Sequence, residues 1–142
     1  MNYQRKYLKA IFCFCFTLVM LIPVAGPAAE KNMSAAQIEK LLSSNTLSGW
    51  DSDQHQIHVY YDSSGVTEGK RIRKGVLFDS GNWTITNEGQ YCQQWNRWLG
   101  KKLVCFHIYR LGDNKYRLKS DSGQYSLRVR LRQGDPEKLK MQ

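Results

Sequence analysis

The chain of 142 residues is poor in the residues that interrupt or staple a fold, with three prolines, four cysteines and three histidines. There is no Pro-rich linker, internal repeat or low-complexity stretch, so a single compact unit is expected. Long hydrophobic runs are missing as well. The longest, 10–24, holds 15 residues and breaks at Pro23, whereas crossing the hydrocarbon core takes roughly 20. A retained membrane anchor is therefore not expected. Acidic residues are scarce too, 12 against 21 Lys and Arg, for a net charge of +9.

The start of the chain explains part of that basicity. Arg5, Lys6 and Lys9 precede the apolar run, and Gly26, Pro27, Ala28 and Ala29 follow it. This is the layout of a cleavable export signal over 1–28, with Gly26 and Ala28 at the positions a signal peptidase reads. Cys13 and Cys15 lie inside the run with no small residue before them, which argues against a lipid anchor. Removal of 1–28 leaves 18 Lys and Arg against 12 Asp and Glu, a balance of +6, and two cysteines, Cys92 and Cys105. In an oxidising compartment these two have one possible pairing, a disulfide. A periplasmic or extracellular location is expected, and nucleic acid is not an expected partner.

The remaining chain divides into a β-rich domain over 29–136 and a polar tail over 137–142, expected to fray. Ser34 stands three residues before Gln37, the spacing of a capping box, and Ile38, Leu41 and Leu42 follow at helical spacing. One short helix is predicted. After Gly49 the period changes to two. Expected strands are 56–61, 70–73, 76–78, 82–86, 90–95, 103–110, 115–119 and 124–132, separated by turns that include 62–65, 79–81, 87–89, 112–114 and 121–123. Segments 90–95 and 103–110 read as a hairpin with its tip at 97–102 and Cys92 facing Cys105. The last strand alternates most cleanly, with Tyr125, Leu127, Val129 and Leu131 on one face and Arg128, Arg130 and Arg132 on the other. These features predict an all-β fold, a small antiparallel barrel or a two-sheet sandwich with one N-terminal helix.

Catalytic and metal chemistry find little support. His55 and His58, three apart on one strand, should face opposite ways, and no carboxylate cluster is evident near any histidine. Asp51, Asp53, Asp62, Glu68 and Asp79 sit in turn-like contexts. No nucleophile elbow is present, so neither a metal nor a cofactor is expected and the protein reads as a non-enzyme. Trp95, Arg97, Trp98, Lys101 and Lys102 cluster at the predicted hairpin tip and form the candidate ligand or partner contact. Arg128, Arg130 and Arg132 form a candidate anionic-surface contact. Asn32 and Asn82 each head an Asn-x-Ser/Thr acceptor pattern.

The ordered set Asn45-Thr46-Leu47-Ser48-Gly49, Gly75, Gly81-Asn82-Trp83, Gly89-Gln90-Tyr91-Cys92, Trp95, Cys105 and Tyr116 resembles a family of small exported bacterial proteins known only as a domain of unknown function. The likeness covers about residues 41 to 134. It implies a periplasmic β-rich domain and assigns no catalytic residues. The favoured reading is a binding module for a small molecule or an envelope component. The alternatives are an interaction or inhibitor domain acting on an envelope protein through a basic and aromatic surface, and a small secreted hydrolase.

Overall fold

A computed structural model describes residues 30–141, so the expected export signal, with Cys13 and Cys15, lies outside the described residues. The chain forms β1 (Lys31–Asn32), α1 (Ala35–Leu42), β2 (Asn45–Trp50), β3 (Gln56–Tyr61), β4 (Val66–Ile72), β5 (Val76–Ile85), β6 (Tyr91–Trp95), β7 (Leu103–Gly112), β8 (Lys115–Ser120) and β9 (Ser126–Gln133). Strands β2 to β9 each pair antiparallel with the next, and β9 returns to β2, closing an eight-stranded barrel. Closure decides for the barrel over the sandwich.

Strand alternation divides the barrel into an inner and an outer face. Val59 and Tyr61, Tyr91 and Trp95, Phe106 and Ile108, Tyr116 and Leu118, and Val129 are all buried in one core. Cys92 lies opposite Cys105 on β6 and β7, and the two form the expected disulfide. Their inward neighbours Tyr91 and Phe106 place this crosslink on the outer wall. Loss of such a crosslink costs about 3 kcal/mol in the chain-entropy view.

One end of the barrel is plugged. The capping box forms as predicted, with Gln37 N–H donating to Ser34 Oγ (3.4 Å) and Ser34 N–H donating to Gln37 Oε1 (2.9 Å). It starts α1, whose buried Ile38, Leu41 and Leu42 join the core beside Tyr61, Tyr91 and Tyr116. Just before the helix, β1 pairs with Tyr109 and Arg110 of β7, beyond the point where β6 stops. The opposite end, where β2 passes to β3 and β6 to β7, carries only a short 3-10 turn, Trp98–Lys101, and no α-helix among the described residues.

Four expectations need correction. Residues 79–81 do not turn but run inside β5. Gly81 is required there because a Cβ would lie 2.1 Å from the Gln94 carbonyl oxygen. Asn45–Trp50 is a strand that sequence reading left unassigned, and β4 begins at Val66 rather than Lys70. The polar tail is docked, not frayed. Leu139 is only 2% exposed, Lys140 Nζ donates to Asp62 Oδ2 at 2.6 Å, and Glu137 bonds Lys70 at 2.7 Å and Arg132 at 3.0 Å.

This docking depends on charge. The Lys140 hydrogen bond, with help from Ser64, holds the Asp62 carboxyl far below its usual range. The Lys70 hydrogen bond lowers Glu137, against its burial. Burial likewise lowers His58, against the pull of Glu137. All three groups titrate below their unfolded values, so their stabilisation is complete at neutral pH and is lost as pH falls through the folded values. The segment after Gly134 should resist proteolysis at pH 7 and become sensitive below about pH 4, where carboxylates protonate. Glu137→Gln should raise cleavage already at pH 7, by about 1 kcal/mol of lost local protection. Cleavage rates that do not change with pH would show that packing of Leu139 alone holds the segment.

Candidate functional site

The open end leads into a cavity of about 280 Å³. Its walls come from inward positions of several strands: Ile57 and Val59 of β3, Gln93 and Trp95 of β6, Phe106 of β7 and Leu127 of β9. Asp51, Ser52, Asp53, Arg71 and Ser126 line its mouth. A dry cavity of about 150 Å³ accommodates benzene, so this one has room for a molecule somewhat larger than one aromatic ring.

The two tryptophans define one side. Trp95 is buried, Trp98 half-buried, and their rings lie 4.6 Å apart between centroids. Both rest on Gly69 of β4, where a Cβ would lie 2.6 Å from Trp98 Cζ3 and 2.7 Å from Trp95 Cη2. Glycine is needed here for space. The β6–β7 connection that carries Trp98 is strained, since Leu99, Gly100 and Lys101 all have positive φ (52°, 65° and 61°). Asp79, inside β5, pins it. Asp79 Oδ2 accepts the backbone N–H of Arg97 at 2.9 Å and of Trp98 at 2.8 Å, and its side chain is 1% exposed.

The predicted cluster at the hairpin tip is therefore split. Trp95 and Trp98 face the cavity, whereas Arg97, Lys101 and Lys102 are exposed to solvent. Arg97 lies 3.5 Å from Asp79 Oδ1 through Nε and also donates to the Phe78 carbonyl. On β9, Arg128, Arg130 and Arg132 stay on the outer face as predicted, but Arg132 is committed to Glu137.

Sequence reading missed the polar part of the site. Arg71 Nη2 lies 2.7 Å from Asp51, 3.3 Å from Asp53 and 2.8 Å from His55 Nδ1. Burial raises the Asp51 pKa, but hydrogen bonds from His55 and the Arg71 charge outweigh it and hold Asp51 below its usual value. The other end of the guanidinium is different. Arg71 Nε is buried and has no hydrogen-bond partner. Deeper in, Gln93 Oε1 accepts from the Tyr91 hydroxyl, which also lies 3.2 Å from the Tyr61 hydroxyl. No hydrogen bond engages Gln93 Nε2 among the described residues. A glutamine on an inward face between Tyr91 and Trp95 was the one signal the sequence offered.

The histidines also differ from expectation. His55 precedes β3 rather than lying within it, and Asp51 and Asp53 do accompany it, with potential ligand atoms within 4.8 Å of one another. The Arg71 guanidinium already supplies positive charge to that group. His58 Nδ1 lies 2.9 Å from Ser48 Oγ and 3.6 Å from Glu137 Oε1. Both contacts fall on one nitrogen, whereas a Ser–His–acid relay uses both. His107 meets Asp121 at 3.1 Å on the outer wall.

Comparison with family models, curated proteins and solved structures returns no match. Among the described residues, no helix is long and apolar enough to cross a membrane.

Asp79→Ala should orphan two backbone donors and release the strained turn, costing about 2 kcal/mol. Asp79→Asn, which keeps one acceptor, should cost about half as much. Chemical denaturation gives the energies, and loss of the near-ultraviolet circular dichroism of the tryptophan pair reports the local release. If Asp79→Ala left that signal intact, Asp79 would not be what positions Trp98.

Proposed function

We propose that this chain is an exported, non-catalytic binding protein that takes a small, mainly apolar molecule into the open end of its barrel. The carrying observation is the cavity behind Trp95 and Trp98, an apolar recess with a small number of polar residues in its lining. Ligand sites in small barrels have this composition, with walls that supply area and a few donors that fix orientation. Export is supported by the disulfide, which persists in oxidising compartments.

The donors specify the ligand further. Gln93 Nε2, with no hydrogen bond among the described residues, offers N–H groups to the cavity, so the molecule should carry a hydrogen-bond acceptor such as a carbonyl, hydroxyl or carboxylate. The aromatic walls favour a ring or a short acyl chain. Size excludes a long lipid tail from lying wholly inside.

Titration of the mature protein with benzoate, indole acetate and octanoate, followed by tryptophan fluorescence, tests this reading. At least one probe should give a saturable one-to-one signal. Val59→Trp, which fills the cavity from an inward β3 position, should weaken that probe at least about tenfold, and Arg71→Lys by about threefold to tenfold. Absence of saturation with every probe, together with no retained small molecule in native mass spectra of the purified protein, would refute the proposal.

A further inference from the structure

The β4–β5 hairpin at the rim has a composition that neither the core nor the cavity uses. Val76, Leu77 and Phe78 are consecutive, and they are 51%, 63% and 36% exposed. Because side chains alternate along a strand, Leu77 shares the inward parity of Asp79 while Val76 and Phe78 face outward. The strand end is thus apolar on both faces. Strands apolar on both faces are normally covered on both, and this one is covered on neither.

Its edge is also free of a strand partner. On one side β5 pairs with β4 as far as Ile72 and Val76, but on the other β6 pairs only from Gly81 onward. Arg73 and Lys74, both exposed, form the hairpin tip with Gly75, and Lys101 and Lys102 are exposed on the neighbouring β6–β7 connection. None of these four basic side chains pairs with a carboxylate among the described residues. An apolar wedge flanked by unpaired positive charge complements an anionic lipid surface, where the headgroups meet the charges and the interface takes the apolar side chains.

We propose that the rim around Val76, Leu77 and Phe78 docks on anionic bilayers, with Arg73, Lys74, Lys101 and Lys102 supplying the electrostatic attraction. Docking there brings the open end of the barrel next to the membrane surface. The inference is independent of cavity occupancy, since vesicle binding can hold or fail whether or not a small molecule binds inside.

Sedimentation of the mature protein with vesicles of phosphatidylcholine and phosphatidylglycerol at about 3:1, against phosphatidylcholine alone, is the test. Retention is expected on the anionic vesicles at low salt and should fall as salt rises. Leu77→Ser/Phe78→Ser and Arg73→Glu/Lys74→Glu should each weaken it by about tenfold or more. Because all four side chains are exposed, these variants should keep the wild-type circular dichroism. Arg128→Glu/Arg130→Glu, on the outer face of β9, should retain binding. Three results overturn the proposal: no retention on anionic vesicles, retention unchanged in Leu77→Ser/Phe78→Ser, or an equal loss in Arg128→Glu/Arg130→Glu. Concentration-dependent dimerisation abolished by Leu77→Ser/Phe78→Ser, without vesicle binding, would overturn it in favour of a second copy of the chain.

Discussion

The pairing of β9 with β2 is the constraint on which the rest of the structure depends. Without it β2 and β9 would each expose an edge, and the inner face of the sheet would need a second layer to cover it. The chain has no such layer, since its one helix reaches only across one end. Once the ring closes, the register Leu47 opposite Leu131 and Gly49 opposite Val129 determines which residues face in. A slip of one residue would put Arg128 and Arg130 inside and Val129 outside, which is why the alternation on β9 matters so much. The same closure explains β1. It covers the stretch of β7 that the shorter β6 leaves unpaired, so the seam has few free backbone groups.

What could be read in the sequence was what is encoded locally. The capping box, the Cys92 to Cys105 hairpin and the alternation on β9 each depend on residues close to one another in sequence or on one covalent bond. Residues 79–81 misled because Asp-Ser-Gly has the composition of a turn. In the barrel, Gly81 answers to the backbone of β6 and Asp79 answers to a connection 18 residues away. Neither relation leaves a local trace. The docking of Glu137, Leu139 and Lys140 was hidden in the same way, since their partners on β3, β4 and the following turn lie far back in the chain. For the site, the tryptophans were visible as an unusual pair, but the path of the turn after β6 separates them from Arg97, Lys101 and Lys102. Arg71 falls within the expected strand 70–73, and its pairing opposite Ile57 brings it to the mouth.

The cavity exists because large rings that could have filled the barrel are gathered to one side. Gly69 leaves the space over which Trp95 and Trp98 pack, and Asp79 holds the backbone that carries Trp98. Two small features on neighbouring strands thus fix the position of two large ones. The strained turn at Leu99, Gly100 and Lys101 costs energy that packing and the Asp79 hydrogen bonds must offset. A turn held in this way should be the first part of the rim to move, because the strands below it are locked into a closed ring and the turn is not.

Charge around the mouth further shapes what the cavity can accept. Asp51 and Asp53 engage one end of the Arg71 guanidinium, which offsets its charge at the mouth. On the proposed reading, Gln93 Nε2 has no partner among the described residues, so a bound molecule without an acceptor leaves its N–H groups unsatisfied. Apolar walls discriminate weakly, because one methylene more or less is worth only about 1–3 kcal/mol, whereas a polar partner left unpaired rejects far more strongly. Selectivity should therefore follow the position of the acceptor along the ligand. The apolar area of Trp95, Phe106 and Leu127 then sets how tightly any molecule that satisfies those donors is held.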